Sequence, residues 1–248
     1  MTKHNELSHS YILSAGESNA TGRMPITLVT ERIIEVATEH ANLLGIGYDT
    51  LITKNLGWVL SRLCIEMSHY PVINEHYTVT TWIETYNRHF SERNFVFTDC
   101  KGQVIGYART VWVPMNFETR TVADISAFER EAFPIADSPC PIEKVARIAP
   151  VSAAAETEEY TFKYCDIDFN RHVNTVRYLD LILNHWPLDR YDKMMVRRLD
   201  LLFHQECHFG ETIKLLVSAE NNSANDCELS RDGNRVVAAR LTWSELVP

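Results

Sequence analysis

The sequence lacks any run approaching the roughly 18 consecutive apolar residues that a membrane-spanning helix requires. Its opening stretch, MTKHNELSHSYILSAGESNATG, is polar and has no apolar core of a secretory signal, and it is too acidic and too short for a transit peptide. We therefore expect a cytoplasmic protein. Its 248 residues correspond to one large or two small domains. The proportions of hydrophobic (45%) and charged (23%) residues are typical of folded globular proteins.

Basic residues are also scarce. The sequence has 24 lysines and arginines against 33 acidic residues, so its net charge is −9. Proteins that bind nucleic acid through its phosphates usually carry a basic surplus, and we expect no nucleic-acid partner. Residues 163–198 depart from this balance, with seven basic and five acidic side chains. That local surplus is a weak indication of an anionic ligand or an acidic partner, and a solvated helix surface is the alternative.

Closely spaced cysteine pairs are absent. The six cysteines are scattered along the chain with no CxxC pair, and we expect reduced thiols in a cytoplasm. The side chains that a metal site would draw on are Cys165, His172, His204, Cys207 and His208. Their spacing fits no closed zinc site. We therefore expect neither a metal nor another cofactor.

Two stretches of the chain resemble each other. Residues 102–112 read GQVIGYARTVW and residues 233–243 read GNRVVAARLTW. A glycine, an alanine, an arginine and a tryptophan recur at a constant offset of 131 positions. Similar order and spacing in two stretches indicate a duplicated domain, and the period is too long for a solenoid.

Each half also shows the same order of predicted elements. A helix is expected from about Ile26 to Leu44 and another over Val173–His185, and strand-like runs of β-branched and aromatic residues follow each helix. Both helices carry more apolar surface than one face can hide, so we expect each to be wrapped by a curled antiparallel sheet. The fold class is thus α+β, as a tandem pair of such units.

Prolines and small residues separate the halves. We place the first domain at 1–116, a linker at 117–157 and the second domain at 158–248. A short helix is expected near 126–133, where Ser126 and Glu129 form a capping-box pattern.

One candidate site precedes the second helix. Asp168, Asn170 and His172 are two residues apart, so in an extended segment their side chains would point to one side. A carboxylate, an amide and an imidazole together suit general base catalysis. Backbone N–H groups near Val173, at the start of the helix, could hold an oxyanion. The alternative is that Asn170 is a helix N-cap and that the other two are polar loop residues.

A second cluster, His204-Gln205-Glu206-Cys207-His208, lies at the end of a predicted strand. Neither cluster has an equivalent in the first half, where SNATGRMP precedes the helix. This asymmetry favours a single site, carried by the second half.

The motif Asp168-Phe-Asn170-Arg-His172-Val-Asn, followed about thirty residues later by Glu206-Cys207, resembles the acyl-acyl carrier protein (acyl-ACP) thioesterases of plants and bacteria. The similarity extends to WVLSRLCIEMSHYP in the first half and RRLDLLFHQEC in the second. The resemblance implies a double hotdog fold and hydrolysis of the thioester between a fatty acyl chain and ACP. It carries over Asp168, Asn170, His172 and Glu206 as site residues, with Cys207 in a disputed role.

The resemblance also implies a partner. ACP is strongly acidic and its phosphopantetheine arm adds a phosphate, so this acidic chain needs a local basic docking face. We expect that face to include Arg190, Lys193, Arg197 and Arg198. The first half, without polar site residues, would supply an apolar tunnel for the acyl chain. Because two hotdog units already form a pseudo-dimer, monomer and homodimer both stay open.

Other functions remain as alternatives. An acyl-CoA thioesterase of the same fold is the nearest one, and a non-catalytic acyl-binding module is another. A hotdog dehydratase is less favoured, because that chemistry needs one acid–base pair and gains little from Asn170.

The attacking group is the last open question. Cys207 could act as a thiolate with His172 as base and Asn170 as orienting group. Alternatively, Glu206 or Asp168 could activate water. We favour water, because neighbouring strand residues point to opposite faces and a carboxylate next to a thiol disfavours the thiolate.

Overall fold

The computed structural model describes residues 5–126, 128, 133–151, 156–218 and 223–246. The chain forms two compact units, Met1–Lys144 and Val145–Pro248. The linker bounds predicted from composition stay predictions. Most of the short helix expected near 126–133 lies outside the described residues. No helix of the described part is long and apolar enough to span a membrane.

The first unit combines one long helix with an antiparallel sheet. Its helices are α1 (Ile26–Leu43) and α2 (Tyr48–Ile52). Its strands are β1 (Glu6–Ile12), β2 (Leu56–Met67), β3 (His76–Tyr86), β4 (Ser91–Asp99) and β5 (Val104–Asn116). The strand order is β1-β3-β4-β5-β2. The helix predicted from Ile26 ends one residue earlier than expected, and Gly45 follows in the left-handed conformation that stops it.

Strand β1 was not predicted from the sequence. It pairs antiparallel with β3, and its side chains alternate between exposed and half-buried positions. On the exposed side, the hydroxyl groups of Ser8 and Ser10 bond those of Thr80 and Thr78 at 2.8 and 2.9 Å. An edge strand with so many polar residues has a weak hydrophobic pattern, which is why periodicity misses it.

The core of the first unit includes buried polar groups. Val29, Ile33 and Val36 of α1 are fully buried. On the same helix, His40 is also fully buried, and its Nδ1 lies 2.6 Å from Nη1 of Arg93 on β4. Burial lowers the pKa of the Arg93 guanidinium. The interior of this unit is therefore not uniformly apolar.

The second unit has the same plan with shorter elements. Its strands are β6 (Glu156–Thr161), β7 (Met194–Phe203), β8 (Thr212–Val217), β9 (Ala224–Arg231) and β10 (Asn234–Glu245). Its helices are α3 (Thr175–Leu183) and α4 (Leu188–Tyr191). The strand order, β6-β8-β9-β10-β7, is that of the first unit element for element. The duplication inferred from the sequence is therefore visible in the topology of the two units.

Helix α3 packs its apolar face inward. Tyr178, Leu179 and Ile182 are buried, and the Tyr178 ring meets Phe162 edge to face with centroids 5.6 Å apart. The helix has nine residues, fewer than the thirteen expected over 173–185. Asn174 caps it, because the Asn174 side chain accepts a hydrogen bond from the Val176 N–H at 2.9 Å. The N-cap is therefore Asn174 and not Asn170.

Candidate active site

The segment before α3 turns back on itself. Ile167 and Val173 form an antiparallel bridge, and the Asp168 N–H donates to the His172 carbonyl at 2.8 Å. Arg171, at the bend, has a φ of 67°. The expected extended conformation of residues 168–172 is therefore wrong, and spacing by two does not decide which way their side chains point.

Asp168 holds this turn in shape. One of its carboxylate oxygens accepts hydrogen bonds from the N–H groups of Asn170, at 2.8 Å, and His172, at 3.1 Å. This is the Asx-turn arrangement, in which a side chain replaces a backbone acceptor. In the structure Asp168 thus fixes the backbone on which His172 stands. The Asn170 side chain is exposed on the same turn.

The structure brings His172 and Glu206 together. The Nε2 of His172 lies 3.5 Å from an Oε of Glu206, and their side chains are 18% and 27% exposed. Glu206 comes three residues after the end of β7, while His172 comes from the turn before α3. An imidazole and a carboxylate this close attract each other when the imidazole is protonated, and both can contact one water molecule. This pair is the chemical centre of the candidate site.

Cys207 occupies a different environment from its neighbour Glu206. It is fully buried, and its N–H donates to the Tyr178 hydroxyl at 3.0 Å. The Arg231 guanidinium lies 3.7 Å from its sulfur. Burial raises the pKa of the Cys207 thiol, although contacts with Tyr178 and Arg231 oppose the shift. A raised pKa leaves less thiolate at neutral pH and makes this thiol a poorer nucleophile.

The predicted oxyanion donor is already engaged. The Val173 N–H donates to the Cys207 carbonyl at 2.8 Å, which ties the turn to the segment after β7. This hydrogen bond contradicts the expectation that Val173 holds an oxyanion, because an N–H bonded within the fold is not aimed at a substrate. Because Val173 follows His172 and Cys207 follows Glu206, the same bond holds these two distant segments together and keeps the His172 and Glu206 side chains close.

His208, considered from the sequence only as a possible metal ligand, lies against His172 in the structure. Its ring lies edge to face with that of His172, with centroids 5.0 Å apart. Its Nδ1 lies 3.3 Å from the Arg171 carbonyl oxygen. The sequence feature that could have placed His208 near the site is its position two residues after Glu206. Across the described part of the chain, no group of three or more histidine, cysteine or acidic side chains could hold a metal ion.

Two of the four predicted docking residues make contacts within the second unit. Arg190 lies over the Trp243 ring at 4.3 Å, and its guanidinium donates to Asn225 at 3.2 Å. Arg198 makes two hydrogen bonds to Asp200, at 2.9 and 2.8 Å. Each guanidinium is thus engaged within the second unit, one on its planar face and the other through its fork. Their assignment to the docking face stays a prediction.

The other two predicted docking residues stay predictions. Lys193 is exposed, and Arg197 is half-buried on β7.

Two family models match the sequence. The acyl-ACP thioesterase N-terminal domain covers residues 4–129, and the C-terminal domain of the same enzymes covers residues 151–245. The chain belongs to the acyl-ACP thioesterase family. The resemblance read from the motif around Asp168 is confirmed.

Relatives of this family are found in plants and bacteria. The chloroplastic palmitoyl-ACP thioesterase of Arabidopsis thaliana is 27% identical over 96% of this chain. Oleoyl-ACP thioesterase 2 of the same plant is 25% identical over 85% of the chain. The chain spans 64% and 62% of the lengths of these two relatives, just under two thirds.

Solved structures of the family share the fold. An acyl-ACP thioesterase from Bacteroides thetaiotaomicron is 32% identical with a TM-score of 0.90, covering 98% of this chain and all of that one. The 12:0-ACP thioesterase of Umbellularia californica is 22% identical with a TM-score of 0.84, over 97% of this chain and 94% of its own. The expected tandem hotdog fold is thereby confirmed.

Proposed function

We propose that this chain hydrolyses the thioester bond of fatty acyl-ACP, releasing a free fatty acid and the thiol of the carrier. The observation that carries the proposal is the pair of His172 and Glu206, 3.5 Å apart in a chain of the acyl-ACP thioesterase family. We infer ACP as the carrier from the names of the related thioesterases, because the geometry of the site does not distinguish one carrier from another.

Glu206 acts as the base in this proposal. Its carboxylate takes a proton from a water molecule that contacts both Glu206 and His172, and the water oxygen attacks the acyl carbon. A carboxylate is ionised at neutral pH without assistance. The resulting tetrahedral intermediate collapses by breaking the carbon–sulfur bond. The leaving sulfur takes from the Glu206 carboxyl the proton that the water gave up and departs as the thiol, which returns Glu206 to its carboxylate form.

Two further residues support this chemistry. Asp168 is a positioning residue, because its bonds to two backbone N–H groups fix the turn that carries His172. The exposed amide of Asn170 is the donor that we assign to the developing oxyanion, in place of the engaged Val173 N–H. Cys207 is a buried structural residue in this mechanism.

The test is the release of free thiol from matched substrates. Acyl-ACP and acyl-CoA of the same chain lengths would be compared by kcat/KM, together with the fatty acid released. We expect turnover of acyl-ACP, with a higher kcat/KM than for acyl-CoA. Tight acyl binding without thiol release would instead identify a binding module. Preferential turnover of acyl-CoA would identify an acyl-CoA thioesterase.

A further inference from the structure

Three large aromatic side chains are exposed beside the candidate site. Tyr164 is 86% exposed, Phe169 is 74% exposed and Phe209 is 67% exposed. Each stands on a different segment: Tyr164 follows β6, Phe169 lies in the turn before α3, and Phe209 lies between β7 and β8. Exposed aromatic side chains that gather at one place commonly mark an interaction site.

Hydrogen bonds hold these three segments together. The Gly210 N–H donates to the Phe162 carbonyl at 3.0 Å, and the Phe162 N–H donates to the Glu211 carbonyl at 3.0 Å. On the other side, His208 contacts the Arg171 carbonyl at 3.3 Å. Phe209 therefore lies between the segment that carries Tyr164 and the turn that carries Phe169. The three rings border the same end of the second unit as the catalytic pair.

The exposed lysine and arginine side chains on these segments are basic, whereas their carboxylates are buried or half-buried. Lys163 and Arg171, the direct neighbours of this surface in the chain, are exposed. The acidic groups nearby are used within the fold. Asp166 is buried and accepts hydrogen bonds from Tyr160 and from the Lys163 N–H. Glu211 pairs with Arg231, and the Asp168 carboxylate accepts the N–H groups of its own turn.

We propose that this surface, the aromatic rim formed by Lys163, Tyr164, Phe169, Arg171 and Phe209, is where the carrier protein docks. The proposal rests on the proposed function and moves the docking face away from Arg190 and Arg198. An acidic carrier is attracted by Lys163 and Arg171, and the rings supply contact area at low entropic cost. The rim also flanks His172 and Glu206, so a carrier bound there needs to deliver its arm over only a short distance.

The experiment compares one acyl chain on two carriers. Arg171→Glu and the double variant Phe169→Ala/Phe209→Ala would be assayed with acyl-ACP and with the same acyl chain on pantetheine alone. We expect kcat/KM for acyl-ACP to fall about tenfold, mostly through KM, in the range for losing central contacts of an interface. The pantetheine thioester lacks the protein, and its kcat/KM should change by less than about twofold.

Two charge reversals serve as comparisons. Lys101→Glu changes the net charge by the same amount as Arg171→Glu, in the exposed turn between β4 and β5. Lys193→Glu tests the rival face predicted from the sequence. Lys101→Glu and Lys193→Glu should each raise KM for acyl-ACP less than Arg171→Glu does. Equal losses with Lys101→Glu or a larger loss with Lys193→Glu would overturn it, as would equal losses on both carriers.

Direct binding separates the docking proposal from the proposed function. Titration of acyl-ACP into the Glu206→Gln variant measures docking without turnover. If adding Arg171→Glu to that variant weakens the binding of acyl-ACP, docking on the aromatic rim is supported. If binding is unchanged, docking on the rim is refuted. Binding to the parent chain without hydrolysis would contradict the proposed function, and a loss of that binding in Arg171→Glu would still support the docking surface.

Discussion

The neighbours Glu206 and Cys207 illustrate how adjacent residues acquire different roles. Glu206 approaches His172, whereas Cys207 is fully buried beside Tyr178 and Arg231. Consecutive residues of an extended segment point to opposite sides, so only one of them can face the site. Burial raises the pKa of the Cys207 thiol, which makes the thiolate still less available.

Removing the Cys207 thiol should therefore leave most of the activity. We expect Cys207→Ala to keep kcat within about fivefold and Glu206→Gln to lower it at least a hundredfold, the range for losing an acid–base group. Steady-state thiol release measures both. Cys227→Ala, at another fully buried cysteine, controls for lost packing. An acyl-enzyme trapped on Cys207 by rapid quenching would refute water attack.

Asp168 offers a second test at the scale of one residue. If its role is to accept two backbone N–H groups, Asp168→Asn should retain most of kcat, because an amide oxygen can accept the same bonds. Asp168→Ala removes the acceptor and should lower kcat by about fiftyfold or more, through the displaced His172. Equal losses in the two variants would show instead that the negative charge itself takes part in the reaction.

The sequence predicted which polar side chains come together but not the directions in which they point. Asp168, His172 and Glu206 were all predicted, and the structure places them in one region. The turn at Arg171 depends on a left-handed φ that an arginine adopts only when its surroundings impose it. The stacking of Arg190 on Trp243 likewise depends on tertiary packing, which charge counts do not contain.

At the scale of elements, helix α3 acts on the site through one hydroxyl. Tyr178 is buried on α3, and its oxygen accepts the Cys207 N–H at 3.0 Å. This bond joins the helix to the segment that follows β7. Burial raises the pKa of Tyr178 far above its ordinary value, so the hydroxyl stays protonated throughout the physiological range.

Tyr178→Phe should weaken both the fold and the catalysis. The variant leaves the Cys207 N–H buried without its acceptor, which costs about 1–3 kcal/mol. Because the bond holds Glu206 in place, kcat should also fall, by about three- to tenfold. Tyr191→Phe is the matched control, since the Tyr191 hydroxyl donates to the Leu183 carbonyl at 2.6 Å in the same unit. Thermal melts measure the loss of stability in both variants, and steady-state assays measure kcat. Only Tyr178→Phe should lose turnover.

Most elements were predictable, and the misses have physical reasons. Helices with a clear apolar stripe and strands rich in β-branched residues were found, and the repeat predicted that one unit would follow the plan of the other. Strand β1 was missed because its stability comes from pairing with β3, not from its own hydrophobic pattern. Helix α3 begins two residues later than expected because Asn174 caps it after the turn has closed, and it ends two residues early, at Leu183.

For the whole molecule, the acidic surplus makes carboxylate pairing a determinant of stability. In the first unit, a hydrogen bond from the Ser14 hydroxyl lowers the pKa of Glu17. Burial alone would raise the pKa of Glu84, but hydrogen bonds from Asn94 and Arg109 hold it below its ordinary value of 4.5. A carboxyl whose pKa is lower in the folded state contributes stability above its unfolded pKa and loses it as the pH falls through the folded value.

The contribution of these two carboxyls to the free energy of unfolding should therefore be constant above about pH 5 and should decrease as the pH falls below 4.5. Glu84→Gln removes one of these carboxyls, so we expect a Tm lower by about 2–4 °C at pH 7 and a shallower loss between pH 5 and pH 3. Glu31→Gln, at an exposed position of α1, should leave the pH dependence as it is in the parent. Thermal melts from pH 3 to pH 8 measure all three proteins. If Tm falls with pH in the same way in Glu84→Gln and in the parent, the pairing of Glu84 with Arg109 and Asn94 does not cause the loss of stability in acid.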